Sequence, residues 1–284
     1  MPLPPSFADR KPVPAAEPLP APIVDAHTHL DACGADDQSA VRTALDAATA
    51  VGVRAVITVG DGLDSARWAA AAAQWDDRLY AAVAVHPTRA DELDDAAQAE
   101  LAALARQDRV VAVGETGLDN HWPARGVGAA PALQREAFAW HIQLAKDVGK
   151  TLMIHDREAH AEILQILDAE GAPERVAFHC FSGDVALARQ CADRGFVMSF
   201  AGPVTFRNNH ELHAAARFAP ADLITVETDA PYLAPHPYRG STNSPAAVAH
   251  TARAMAALRD VELTDFCRQL SATTARLYGV PTAG

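Results

Sequence analysis

The sequence contains few cysteines and no long hydrophobic run. Its four cysteines form no CxxC pair and are too few for a disulfide framework, so we expect reduced thiols in a cytoplasmic protein. No uninterrupted apolar run reaches about 18 residues, so no membrane-spanning helix is predicted. The first residues carry prolines where a signal peptide needs an apolar segment. We therefore expect a protein without membrane contact.

Positive charge is also scarce. Lysine and arginine number 24 against 36 aspartates and glutamates, which gives a formal net charge of -12. This balance argues against a broad basic surface that wraps nucleic acid without specificity. A local site can still bind phosphate where metal ions supply the positive charge. We expect a monomer.

Residues 1–21 are rich in proline and offer no apolar periodicity. Prolines stand at positions 2, 4, 5, 12, 14, 18 and 20, with another at 22. Such a composition is typical of flexible or polyproline-like chain. We therefore predict a flexible N-terminal tail over residues 1–21 and a folded domain over residues 22–284.

Within that domain, apolar runs alternate with alanine-rich amphipathic runs. Eight predicted strands begin near Ile23, Arg54, Leu79, Arg109, Thr151, Arg175, Phe196 and Leu223. Strands that are apolar throughout and separated by helices indicate a parallel sheet covered on both faces. A doubly wound open sheet is the main rival, but no GxGxxG turn follows the first strand. The pattern favours an α/β fold of the (β/α)8 barrel type.

Six metal-ligating side chains stand at the ends of the predicted strands. They are His27, His29, Glu115, His155, His179 and Asp229. In a barrel, the carboxyl ends of the strands meet on one face, where such enzymes carry out their chemistry. Four imidazoles and two carboxylates exceed what one four-coordinate ion with a water requires. Two ions that share Glu115 are therefore the simplest arrangement.

Several stretches around these residues resemble the TatD-related metal-dependent hydrolases, within the amidohydrolase-type barrels. The matching stretches are Asp25–Asp31 (DAHTHLD), Val85–Pro87 (VHP), Val113–Asp119 (VGETGLD), Ile154–Arg157 (IHDR), His179–Gly183 (HCFSG) and Glu227–Leu233 (ETDAPYL). The resemblance covers residues 22–284. It implies that His27, His29, Glu115 and Asp229 hold one divalent ion, and that Glu115, His155 and His179 hold a second. Mg, Mn and Zn all remain candidates for the two ions.

The resemblance also implies a reaction class. Members of the family are deoxyribonucleases or related hydrolases, so we predict phosphodiester hydrolysis, with 3′–5′ exonuclease action on single-stranded or frayed ends as one form. Two stretches depart from the family pattern: Pro237–Pro245 (PYRGSTNSP) lacks a histidine, two basic residues and a glutamate that relatives typically carry there, and His86–Thr88 (HPT) lacks a further histidine. The alternative is that the same machinery hydrolyses a carboxylic ester, lactone or amide, for example an aminoacyl-tRNA ester. A non-catalytic barrel is the third possibility, but such a protein is expected to lose ligands.

Further residues are candidates for catalysis and substrate binding. Asp229 can accept the proton of the attacking water, or serve as a ligand alone. His86 can donate to an oxygen of the substrate, or be a hydrogen-bonded loop histidine. Arg157 and Arg239 are the best candidates for binding a phosphate or carboxylate. Asp25, together with Asp31, is expected to orient the metal-binding imidazoles.

Overall fold

The computed structural model describes residues 10–281, and within them eight parallel strands form one sheet in sequence order. The strands are Ile23–Thr28 (β1), Val53–Gly60 (β2), Leu79–Val83 (β3), Val110–Asp119 (β4), Thr151–Arg157 (β5), Val176–Phe178 (β6), Val197–Phe200 (β7) and Ile224–Val226 (β8). The sheet curls round so that β8 faces β1. The backbone N–H of His29 donates to Ala230 O at 2.7 Å, and that of Asp229 donates to His27 O at 2.9 Å. The (β/α)8 barrel predicted from the sequence is confirmed.

Nine helices in the described part of the chain surround the strands. They are Gln38–Ala50 (α1), Leu63–Ala72 (α2), Asp95–Ala105 (α3), Pro131–Val148 (α4), His160–Glu170 (α5), Val185–Asp193 (α6), His210–Phe218 (α7), Val248–Arg259 (α8) and Leu263–Tyr278 (α9). Three of them begin after an aspartate that accepts a backbone N–H of the first turn: Asp37, Asp94 and Asp184. No helix among the described residues is long and apolar enough to span a membrane.

Small and branched side chains fill the barrel interior. Val24, Ala26, Ile57 and Ala82 belong to one buried cluster, which Tyr278 of α9 joins at the end of the chain. A larger cluster lies between the strands and the helices. Both faces of the sheet are therefore covered by apolar side chains, as a parallel sheet requires.

Two strands contain an irregularity just before they reach the active face. In β1, the four residues from Asp25 to Thr28 oppose the three from Val56 to Thr58. In β4, the four residues from Val113 to Thr116 oppose the three from Leu152 to Ile154 of β5. In a regular strand, successive side chains point to opposite faces of the sheet. An extra residue of this kind interrupts that alternation, so the neighbouring side chains of Ala26 and His27 both point into the barrel. The bulges thus turn His27 and Glu115 toward the barrel axis.

The prediction of a flexible tail is wrong for residues 10–21, which we call the N-terminal strap; residues 1–9 lie outside the described residues. The backbone of Val13 donates to Thr242 O at 2.9 Å, and that of Leu19 donates to Val51 O at 3.0 Å. Val13 and Leu19 are buried, and Leu19 joins the main core. Arg253 of α8 donates to two strap carbonyls at 2.9 and 3.0 Å. A proline-rich segment without periodicity still packs here because single apolar side chains find individual pockets on the barrel.

The strap contacts predict a stability effect. We expect deletion of residues 1–21 to lower the melting temperature by roughly 6–12 °C, because the side chains of Val13 and Leu19 together contribute about 3–6 kcal/mol and 1 kcal/mol shifts the melting temperature of a chain this long by about 2 °C. Deletion of residues 1–9 alone is the control, since it leaves Val13, Leu19 and the hydrogen bonds of the strap described above in place. Thermal unfolding followed by circular dichroism measures both. Equal melting temperatures for the full chain and the longer deletion would contradict the docking of the strap.

Candidate metal centre

The carboxyl ends of the strands open into a cavity of about 760 Å³. Its wall includes five of the six predicted metal-ligating residues, and the sixth, His27, lies buried directly beneath. The six come from β1, β4 and β5 and from the segments that follow β1, β6 and β8. The structure therefore brings together all the residues that the sequence placed at strand ends.

One group of donors is formed around the two histidines of the first strand. The Nε2 atoms of His27 and His29 lie 3.2 Å apart. Asp229 Oδ1 lies 3.6 Å from the first and 3.4 Å from the second. Glu115 Oε1 lies 3.9 Å and 3.4 Å from the same two nitrogens. Two imidazoles and two carboxylate oxygens thus surround one point.

A second group of donors is formed around the other oxygen of Glu115. Glu115 Oε2 lies 2.8 Å from His179 Nε2 and 3.3 Å from His155 Nδ1. These two imidazole nitrogens are 3.4 Å apart. The carboxylate of Glu115 therefore stands between the two groups and gives one oxygen to each.

The outer nitrogens of all four imidazoles face hydrogen-bond acceptors. His29 Nδ1 donates to Val59 O at 2.9 Å, and His27 Nδ1 lies 3.2 Å from Met153 Sδ. His155 Nε2 lies 3.1 Å from Asp119 Oδ2. His179 Nδ1 lies 3.2 Å from Glu227 Oε1. A neutral imidazole that donates on its outer side has its lone pair on the inner nitrogen. Four lone pairs therefore converge on the two groups.

The electrostatics of the centre favour positive charge between these donors. Burial alone lowers the pKa of His29, but the Asp229 and Glu115 carboxylates outweigh it and raise that pKa to about 10. Burial is likewise outweighed at His179, where Glu115 and Glu227 raise the pKa well above its usual value. Burial raises the pKa of Glu115, but the surrounding imidazoles lower it well below its usual range.

This donor set fits divalent metal ions. Lone pairs and carboxylate oxygens that face one another at 2.8–3.9 Å require positive charge among them, which is supplied either by protons on His29 and His179, whose pKa values are raised, or by a divalent cation. Mixed imidazole and carboxylate ligation suits zinc, manganese and related ions. The outer hydrogen bonds that fix the tautomer and ring orientation are the usual support of metal-binding histidines. The residues present therefore fit the metal centre that the sequence predicts.

His86 lies beside the second group of donors. Its Nε2 is 3.3 Å from His155 Nδ1. The backbone N–H of Thr88 donates to His86 Nδ1 at 3.2 Å, so the proton of a neutral His86 sits on Nε2, which faces His155 Nδ1 at the wall of the cavity. Burial and the neighbouring His155 lower the pKa of His86 to about 3, so its imidazole is neutral at physiological pH.

The predicted arginines lie in two different places. Arg157 lines the main cavity, with its guanidinium 5.4 Å from the centre of the Trp122 ring. Arg239 lines a neighbouring cavity and is absent from the wall of the main one. A third arginine that the sequence reading missed, Arg89, lines the main cavity, where it pairs with Asp61 and Glu92.

The expected role of Asp25 is wrong. Its carboxylate accepts the backbone N–H of Thr228 at 2.8 Å and the Thr228 hydroxyl at 2.7 Å, so it braces β1 against the segment after β8. Asp31 lines the cavity and accepts the backbone N–H of Ala32 at 2.8 Å. Glu227 orients His179 instead, and its position two residues before Asp229 was the signal that could have revealed it.

Comparisons with known proteins agree with this site. The profile of the TatD-related DNase family matches residues 24–279. The metal-dependent hydrolase TatD of Mycobacterium tuberculosis is 54% identical over 259 residues, which cover 91% of this chain and 98% of that protein. YcfH of Escherichia coli, also named a metal-dependent hydrolase, is 36% identical over 262 residues, covering 91% and 96%.

A solved structure is similar over the same extent. YJJV, a TatD homologue from Escherichia coli, superposes with a TM-score of 0.82 at 26% sequence identity, and the match covers 91% of this chain and 98% of that one. The profile match spans nearly the whole barrel, including every residue of the two donor groups. The chain therefore belongs to the TatD family of metal-dependent hydrolases.

Proposed function

We propose that this protein is a deoxyribonuclease that hydrolyses phosphodiester bonds with two divalent metal ions. The observation that carries the proposal is the division of Glu115 between two groups of donors, one oxygen to each. His27, His29, Glu115 and Asp229 would hold one ion. Glu115, His155 and His179 would hold the other.

The residues around the donors supply the rest of the chemistry. Two ions at these positions would acidify a water molecule and polarise the bond under attack. The side chain of Asp229 is 15% exposed and lines the cavity, so its carboxylate can accept the proton of the attacking water. His86 presents a neutral N–H to the same space and can donate to an oxygen of the phosphate.

The shape and charge of the cavity suit the end of a single strand. The centre lies at the mouth of a barrel, inside a concave wall, so we expect a duplex to reach it only after its strands separate. Arg157 stands on that wall and can bind a phosphate oxygen. The net charge of -12 leaves little basic surface for gripping a double helix. We infer that single-stranded or frayed ends are cut and that intact duplex is a poor substrate.

One observation favours a second candidate, the hydrolysis of a small carboxylic ester. The wall of the main cavity also carries the acidic residues Asp31, Asp61, Glu92 and Asp156. These carboxylates repel a polyanion, and Arg89 is already paired with two of them. A neutral ester would meet no such repulsion.

A substrate panel tests the proposal. With Mg or Mn added, we expect the protein to degrade a single-stranded oligodeoxynucleotide at least about 10-fold faster than a blunt duplex, because unpairing costs a few kcal/mol. Binding of the single strand should weaken with salt along a slope on the order of -1 to -2, since each neutralised phosphate contributes about -0.7. The readouts are gel electrophoresis of end-labelled DNA and fluorescence anisotropy.

The controls separate the two candidates. A chelator should abolish cleavage, and a p-nitrophenyl carboxylic ester in parallel reports esterase activity. Turnover of the ester without cleavage of any DNA or RNA, with either metal, would overturn the nuclease proposal in favour of the ester. A salt slope steeper than about -4 would mean an extended basic track, against the single-strand end proposed here.

A further inference from the structure

A polar side chain is buried near the start of α4. Gln134 is 1% exposed, whereas Leu133 beside it is 39% exposed. The helix therefore turns a glutamine toward the barrel and a leucine toward solvent. Burial of an amide costs free energy unless its oxygen and its nitrogen are hydrogen bonded. The partners of this amide must therefore account for the glutamine at this position.

The amide of Gln134 is bonded to the main chain of Asp119, the last residue of β4. The backbone N–H of Asp119 donates to Gln134 Oε1 at 2.8 Å, and Gln134 Nε2 donates to Asp119 O at 3.2 Å. The same nitrogen also donates to Ala129 O at 3.0 Å. One side chain thus pairs with both main-chain groups of a strand residue, as a neighbouring strand does elsewhere in the sheet.

Among the described residues, no strand supplies these bonds on that side of β4. The last pair between β3 and β4 joins Val83 to Val113, and β3 ends there. On the other side, β5 pairs with β4 as far as Asp119, which lies opposite Arg157. A buried main-chain N–H or C=O needs a hydrogen-bond partner. At Asp119, Gln134 is that partner.

The position of Asp119 matters to the second group of donors because its carboxylate has two roles. Its Oδ1 accepts the backbone N–H groups of His121 and Trp122 at 2.9 and 3.0 Å. Its Oδ2 lies 3.1 Å from His155 Nε2. A shift of the Asp119 main chain moves both oxygens together. The hydrogen bond that orients the His155 ring therefore depends on how firmly the end of β4 is held.

We propose that Gln134 is a positioning residue for the second metal ion, because it fixes the main chain of Asp119 and thereby the carboxylate that orients His155. This inference rests on the second ion of the proposed function, but on neither the reaction nor the substrate. Gln134 is not part of the cavity wall, so it acts only through Asp119. Hydrogen-bond partners behind a metal ligand set its orientation, and their loss weakens metal binding.

Stepwise titration of the metal-free protein with zinc tests the proposal. Gln134→Met keeps the length of the side chain and removes all of its hydrogen bonds. We expect it to weaken the binding of one zinc ion by about 10-fold and to leave the other unchanged. Gln143→Met is the matched control: it makes the same change in the same helix, where the exposed amide donates to Asp147 at 2.8 Å. Competition with a chromogenic chelator measures both affinities.

A double-mutant cycle with Asp119→Ala separates positioning from a general loss of stability. If Gln134 acts through Asp119, Gln134→Met has no further effect on zinc affinity once that carboxylate is removed. An equal loss in both backgrounds would overturn the proposal, and so would unchanged zinc affinity in Gln134→Met. Circular dichroism checks folding. If Gln134→Met does not fold, Gln134→Glu, which keeps an acceptor for the Asp119 N–H, enters the same cycle and is judged by the same two outcomes.

A measurement without metal distinguishes this inference from the proposed function. In the metal-free protein, the His155 N–H that is bonded to Asp119 gives a downfield imidazole proton signal in NMR, which is assigned by its loss in His155→Gln. We expect this signal to broaden in Gln134→Met and to stay sharp in Gln143→Met. An equally sharp signal in both variants would overturn the positioning role. If the unmodified protein binds only one zinc ion, the proposed two-ion function fails, and the NMR comparison alone decides on Gln134.

Discussion

Replacement of Glu115 by glutamine is expected to reduce turnover by at least about 1,000-fold, because one carboxylate serves both groups of donors. Glu115 is 4% exposed, and its two oxygens face different imidazole sets at 2.8–3.9 Å. Glutamine keeps the shape but removes the negative charge and turns an amide N–H₂ toward one set. We therefore expect metal to be lost from both positions. Inductively coupled plasma mass spectrometry after dialysis measures the metal content, and single-turnover kinetics measure the rate.

Two control variants test whether the loss of metal and turnover is specific to Glu115. Glu92→Gln makes the same chemical change on the wall of the same cavity, where the side chain pairs with Arg89, and should retain its metal. His155→Ala removes one donor from the second group only and should lose about half of the metal. Near-normal turnover and full metal content in Glu115→Gln would show that the carboxylate does not join the two groups. Circular dichroism checks that each variant is folded.

The sequence predicts the fold and the strand-end residues because both depend on local periodicity. Apolar strands between amphipathic helices require a parallel sheet, and eight such units close into a barrel. The first strand, for example, was expected to begin near Ile23 and lies at Ile23–Thr28. Residues at strand ends meet by topology alone, so their convergence needs no knowledge of the tertiary contacts.

The bulges and the outer hydrogen bonds could not be predicted in this way. The apolar run of the fourth strand ends at Val113 in the sequence, but the strand continues to Asp119, and its residues from Thr116 to Asp119 pair with β5 one by one. The glycines of that stretch weaken strand propensity, and only the neighbouring strand holds it extended. The partners of the imidazoles lie in other strands or directly after them, such as Glu227 after β8 for His179, and depend on side-chain directions that no local pattern encodes.

The N-terminal strap was misread for a similar reason. Composition predicts that a proline-rich segment cannot form a core of its own, and this is correct for an isolated segment. It does not predict that Val13 and Leu19 fill pockets on a barrel that already exists. Long-range docking of an irregular segment depends on the shape of the surface that receives it.

Replacement of Asp229 by asparagine is expected to lower kcat by about 100- to 10,000-fold, the usual contribution of a general base. Asp229 lies 3.4 Å from His29 Nε2 and faces the cavity, with the backbone at φ 54° and its N–H bonded to His27 O at 2.9 Å. The asparagine oxygen can still serve as a ligand, but the amide cannot accept a proton at neutral pH. We expect saturating Mg or Mn to restore the metal content without restoring kcat.

The dependence on metal concentration separates the two roles of Asp229. If Asp229 acts only as a ligand, the kcat of Asp229→Asn recovers fully as the metal approaches saturation. That result would show that Asp229 does not accept the proton. Asp61→Asn is the matched control, because it deletes a carboxylate from the same cavity wall outside the two donor groups. A loss of kcat at full metal occupancy in Asp229→Asn, and not in Asp61→Asn, would assign the proton transfer to Asp229. The two variants lose the same charge, but only Asp229 belongs to the two donor groups.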